Sequence, residues 1–169
     1  MDAFQRLIVV GCCGAGKSTF AAQLASRLAI PYVERDALGI LGSDPYRAAV
    51  QSVIQTPAWV FDGPPYYVDA QVYPAAQAVI WLDYPRQVVV WRAIRRAFRR
   101  TFAPAKPGQD RWERFRQWVE AGGPYFAWSV YAERKHEFAQ LQDRPDLSGK
   151  VLHFQSAARA QTWLESLPL

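Results

Sequence analysis

Apolar residues follow two alternating rhythms along this chain. Short runs, Leu7-Ile8-Val9-Val10, Trp59-Val60-Phe61, Val79-Ile80-Trp81-Leu82 and, broken only by its histidine, Val151-Leu152-His153-Phe154, each have glycine, proline, aspartate or serine within two residues of an end. Runs of this length read as strands covered on both faces. Residues 5–10 make the first strand, Tyr32-Val33-Glu34 a short second one after Pro31, and the other three runs the third to fifth. Between them the apolar positions recur at helical spacing. The pattern predicts helices from Lys17 to about Ala29, from about Tyr46 to Gln55, and from Pro85 to about Phe102. It predicts two more from Asp110 to about Ala121, ended by Gly122-Gly123-Pro124, and from Tyr125 to about Gln142. Ser156 caps a last helix, and Pro64-Pro65 makes a stiff extended turn. Strands alternating with helices imply an α/β fold with a mainly parallel sheet. No internal repeat or low-complexity linker interrupts the pattern.

The junction between the first strand and the first helix reads Gly11-Cys12-Cys13-Gly14-Ala15-Gly16-Lys17-Ser18, with Thr19 next. This is G-x-x-x-x-G-K-S, placed between a strand and a helix, the context a phosphate-binding P-loop requires. Glycines let the backbone wrap closely around a phosphate, and the N–H groups at the helix start form an anion cradle. Lys17 can reach terminal phosphates and Ser18 can offer its hydroxyl to Mg²⁺. The third strand ends in Asp62-Gly63, the pattern of a carboxylate that meets the same ion. Asp36 follows the second strand, where open α/β sheets bind ligands, although it can also be a cap for the segment after it. Asp83 precedes Pro85 and reads first as a helix cap.

Composition narrows the partners. At 169 residues, half of them apolar, the chain reads as one domain spanning 1–169 with a sizeable core. The formal charge of +5 suggests anionic partners. It concentrates in the fourth helix, which carries Arg86, Arg92, Arg95, Arg96, Arg99 and Arg100. Arginines at helical spacing repel one another unless an anion relieves them. No apolar run is long enough for a membrane span, and Met1 to Arg6 lacks a signal-peptide layout. Cys12 and Cys13 are adjacent and suit neither a disulfide framework nor a metal site, so a reduced, cytoplasmic protein is expected. His136 and His153 stand singly and receive no chemistry.

Taken together, these motifs resemble the nucleoside-monophosphate-kinase group, and most closely its adenylate-kinase-related topology modulation proteins. The resemblance lies in the P-loop, Asp36-Ala37-Leu38, Trp59-Val60-Phe61-Asp62-Gly63, Ile80-Trp81-Leu82-Asp83-Tyr84-Pro85 and Trp91-Arg92, in that order over residues 5–120. It implies a P-loop NTPase three-layer sandwich with a five-stranded parallel sheet in order 2-3-1-4-5. It also implies a helical lid over about 95–125, an ATP donor with Mg²⁺, and Arg92 and Arg96 on the donor phosphates. The chain departs from adenylate kinases at Glu34-Arg35-Asp36 and Pro65-Tyr66-Tyr67, where their acceptor site begins. The acceptor therefore stays open.

The leading expectation is a small-molecule kinase. Lys17, Arg92 and Arg96 would neutralise charge, Ser18 and Asp62 would face Mg²⁺, and Asp36 would orient or deprotonate an acceptor hydroxyl. The runner-up is an NTP-dependent nucleic-acid-binding protein that uses the arginine cluster on phosphate backbone. A GTPase switch is disfavoured, because neither an Asn-Lys-x-Asp stretch nor an Asp-x-x-Gly after the third strand occurs.

Overall fold

A computed structural model describes residues 4–102, 118 and 123–168. Within these bounds the strands are β1 (Arg6–Gly11), β2 (Tyr32–Glu34), β3 (Trp59–Asp62), β4 (Ala78–Leu82) and β5 (Val151–Phe154). They form one sheet in the order β2-β3-β1-β4-β5, with every pairing parallel. The expected α/β sheet and its strand order are both present. β1 lies at the centre, and its last residues sit against the ends of both neighbours: Val9 is in register with Asp62 and Gly11 with Leu82.

Side-chain alternation divides the core into two layers, one on each face of the sheet. Leu7 and Val9 of β1, Val60 of β3, and Ile80 and Leu82 of β4 join one cluster. That cluster is covered by Phe20, Ala21 and Leu24 of α1 (Lys17–Leu28) and by Ala160 and Leu164 of the C-terminal helix (Ala157–Ser166). Ile8, Val10, Trp59, Phe61, Val79 and Trp81 point the other way. They pack on Tyr46 and Val50 of α2 (Asp44–Ile54) and on Val72 and Tyr73 of α3 (Asp69–Ala75). Both faces are apolar because both are covered, which is why the strands read as unbroken runs.

The helices depart from the sequence reading in two places, at α3 and at Val130. α3 fills what reads as a plain connection, with Pro74 inside it. α4 (Arg86–Phe102) has its expected length; it buries Val89, Ala93, Ala97 and Thr101 and exposes Phe98. The expected helix from Tyr125 to Gln142 is divided at Val130 into α5 (Pro124–Ser129) and α6 (Tyr131–Ala139), with a short 3₁₀ turn at Gln140–Gln142. Of its aromatic residues, Tyr131 and Phe138 are buried, whereas Tyr125 and Trp128 are exposed. The C-terminal helix, α7, is capped as expected, by Ser156 Oγ accepting from the Arg159 N–H. The expected helix from Asp110 to about Ala121 lies outside the described residues, as does most of the 95–125 segment. Among the described residues no helix is long and apolar enough to cross a membrane.

Candidate active site

The glycine-rich loop sits where the C-terminal end of β1 meets α1, and two of its glycines are required by space as well as by backbone angle. A Cβ on Gly11 (φ +152°) would lie 2.6 Å from the Leu82 carbonyl oxygen. One on Gly14 (φ +91°) would lie 2.5 Å from that of Val89. Both obstacles are backbone, so the loop closes on β4 and α4 only without side chains there. The Ala15 N–H donates to the Cys12 carbonyl at 3.0 Å and completes the turn. Gly16, left-handed at φ 90°, starts α1 without any side-chain cap. The first-turn N–H groups of α1 have no partner four residues back, and the helix dipole points its positive end at the same spot.

Charged side chains converge on this helix start. Lys17 Nζ donates to the Cys12 carbonyl at 3.1 Å, which folds its ammonium over the loop. Burial draws the Lys17 pKa below the ordinary lysine range, against the opposing pull of Cys13 and Asp62. Arg96 lines the cleft with Nη2 at 3.7 Å from Cys13 Sγ. Arg92 is placed differently: its Nη1 donates to the Ala15 carbonyl at 2.9 Å, and its guanidinium lies over the Tyr84 ring at 5.1 Å. It braces the loop and is not among the residues lining the cleft. Cys12 is buried, and desolvation pushes its thiol up to about 11, so it is a neutral packing group at physiological pH. Cys13, Ser18 and Thr19 line the opening.

Two carboxylates line the same cleft. Asp62 ends β3 and is only 7% exposed. Its Oδ2 accepts from the Tyr32 hydroxyl at 2.8 Å, and its Oδ1 is buried with no hydrogen-bond partner. An orphaned carboxylate oxygen and a serine hydroxyl that line one cleft are a hard-oxygen donor set, which suits a Mg²⁺ ion that keeps several waters. Ser18 and Asp62 therefore fit the ion. Asp36 stands on the 3₁₀ turn Arg35–Leu38 just after β2. Its Oδ1 accepts from Arg35 Nε at 2.8 Å and Nη2 at 2.6 Å, while the rest of its side chain is exposed. Arg35 also donates from Nη1 to the Pro64 carbonyl at 3.2 Å, which ties the turn to the end of β3.

Lys17, Ser18, Asp36, Asp62 and Arg96 thus line one cleft of about 500 Å³. Three lining residues with polar or charged side chains receive no role from the sequence: Arg35, Tyr66 and Arg134. The guanidinium groups of Arg35 and Arg134 lie 5.4 and 5.0 Å from the Tyr66 ring centre. Arg134 comes from α6 and donates to the Tyr66 hydroxyl and to Glu137, the latter at 2.5 Å. Burial, with the nearby Glu137 charge, pushes the Tyr66 phenol up to about 12. The only local signal for Arg35 is its place beside Asp36. Arg134 sits in a charged run, Glu133-Arg134-Lys135, that reads as a solvated face.

Asp83 is not the helix cap that the sequence suggests. It is buried, and its Oδ2 contacts Lys135 Nζ at 3.1 Å and His153 Nε2 at 2.9 Å. The hydrogen bond to Asp83 raises the Lys135 pKa. The His153 ring stacks on Trp81 at 4.0 Å. This cluster fastens α6 to β4 and β5, and so holds Arg134, the neighbour of Lys135, at the cleft.

No protein-family model matches the chain, and no curated protein matches it. Solved structures do. A shikimate kinase from Bacteroides thetaiotaomicron is similar over 98% of this chain and 96% of its own, with 16% identity and a TM-score of 0.57. A gluconokinase from Sinorhizobium meliloti 1021 is similar over 98% and 94%, with 15% identity and a TM-score of 0.51. A shikimate kinase from Acinetobacter baumannii, in complex with shikimate, is similar over 96% and 92%, with 15% identity and a TM-score of 0.50. At these identities the likeness establishes the fold, that of P-loop kinases.

Proposed function

We propose that this chain is an ATP-dependent small-molecule kinase with the cleft as its active site. The observation that carries the reading is one cleft shared by two opposed parts. On one side is the uncapped start of α1 with Lys17; on the other is Asp36. Phosphoryl transfer asks a protein for positioning and charge neutralisation more than for covalent chemistry. The loop N–H groups and Lys17 hold the β- and γ-phosphates of ATP, and Arg96 faces the charge that spreads onto the transferring group. Mg²⁺, held by Ser18 and Asp62, supplies Lewis-acid charge at the phosphate oxygens. Asp36 accepts the acceptor's hydroxyl proton, and Arg35 holds that carboxylate in place. Arg92 supports the loop from behind.

The acceptor half of the cleft favours an acidic, hydroxylated small molecule. Arg134 and the Tyr66 hydroxyl stand on its wall, with Phe126, Val130 and Phe138 as apolar sides. The similar structures are named for shikimate and gluconate, which are hydroxylated acids, and this agrees in kind without naming the substrate here. A panel of matched acceptors tests the reading: hydroxy acids, nucleoside monophosphates and their neutral counterparts, with Mg·ATP and mass-spectrometric detection of phosphorylated product. Turnover of an acidic acceptor above background ATP hydrolysis is expected. A panel in which no acceptor yields product contradicts the proposal.

One observation favours a second reading, NTP-dependent nucleic-acid binding. The outer face of α4 exposes Trp91, Phe98 and Phe102, with Arg95 and Arg99 beside them. Aromatic rings alternating with arginines can stack bases and meet phosphates. This face is separate from the cleft, so mutants can tell the two activities apart.

A further inference from the structure

One of the two side chains assigned above to Mg²⁺, Asp62, is held by a residue outside the loop. Tyr32 opens β2, and its hydroxyl donates to Asp62 Oδ2 at 2.8 Å. A hydrogen bond to one oxygen of a carboxylate fixes the direction in which the other points. Asp62 keeps Oδ1, the oxygen that is buried and unpartnered, for the ion or one of its waters.

We propose that Tyr32 is a positioning residue for the divalent cation. Its hydroxyl holds Asp62 Oδ2 and so turns Asp62 Oδ1 toward the ion. The proposal rests on the reading of the cleft as a Mg·nucleotide site and adds a residue that neither the loop motif nor the strand-end aspartate points to. Carboxylate and hydroxyl ligands owe much of their affinity to such outer hydrogen bonds, and losing one typically costs 10–100-fold in metal affinity.

Tyr32→Phe removes the hydroxyl and keeps the ring, which is 37% exposed on an edge strand, so the core is untouched. Mn²⁺ stands in for Mg²⁺. The free ion is followed by electron paramagnetic resonance during titration of the protein loaded with a non-hydrolysable ATP analogue. The variant is expected to bind Mn²⁺ about 10–100-fold more weakly. Its affinity for the analogue in EDTA should equal that of the wild type. In an Asp62→Asn background the same change should cost little more, because the carboxylate it orients has already lost its charge. Unchanged Mn²⁺ affinity overturns the proposal. So does an equal loss in EDTA, which would make Tyr32 an ordinary packing residue, or full additivity with Asp62→Asn. A wild-type protein that does not bind the analogue removes the kinase reading itself, a result distinct from all of these.

Discussion

Asp36→Asn is expected to slow transfer to the acceptor about 10²–10⁴-fold, the range for losing a general base. Background hydrolysis of ATP should stay near its wild-type rate. Asp36 stands beyond β2, two strands out from the loop, and its carboxylate is bound by Arg35, outside the loop. Removing its charge therefore leaves the phosphate cradle intact. Asp62→Asn should behave in the opposite way. Asp62 ends the strand beside β1, in register with Val9, and offers its free oxygen next to the loop. Its loss should weaken the Mg²⁺ dependence of every nucleotide reaction, background hydrolysis included. Measuring acceptor turnover and hydrolysis on both variants decides between the roles. If Asp36→Asn abolishes Mg·ATP binding while Asp62→Asn spares it, the two assignments are exchanged.

Arg96→Ala is expected to lower kcat by about 10²–10³-fold with a smaller change in KM. A group aimed at charge that develops in the transition state contributes chiefly there. Arg96 lines the cleft beside Cys13 of the loop, while Arg95 and Arg99 lie on the outer face of α4. The double change Arg95→Glu with Arg99→Glu should leave turnover nearly intact. If the outer face binds single-stranded DNA, that double variant loses affinity and its salt dependence flattens. Full turnover by Arg96→Ala, together with DNA affinity lost in the Arg95→Glu, Arg99→Glu variant, would reverse the order of the two functional readings.

The strands and the loop position were legible in the sequence because they follow from local rules, whereas the strand order was implied only by the family resemblance. A strand covered on both faces must be apolar throughout, and a backbone that wraps a phosphate needs glycine where Leu82 and Val89 press against it. What escaped sequence reading depends on distant contacts. Asp83 reads as a cap when only Pro85 is in view. The fold brings Lys135 and His153, 52 and 70 positions away, onto its carboxylate. Arg134 and Tyr66 are 68 positions apart, and their shared wall has no sequence spacing to reveal it. α3 escapes because it has only seven residues, one of them Pro74, and buries only Val72 and Tyr73. The division at Val130 escapes because its angles, φ −89° and ψ −2°, are close to helical and no glycine or proline marks it.

The central claim is that the cleft holds Mg·ATP by its loop, and thermal melting tests it most directly. At about 100 times its Kd, a ligand that binds only the folded protein stabilises it by roughly 2.7 kcal/mol. For a chain of this size that corresponds to a rise in Tm of about 5–10 °C. Lys17→Ala should keep the ligand-free Tm close to wild type and lose most of that rise, because the ammonium lies over the loop on the Cys12 carbonyl. A wild-type Tm that does not move at millimolar Mg·ATP, or an equal rise in Lys17→Ala, contradicts the account.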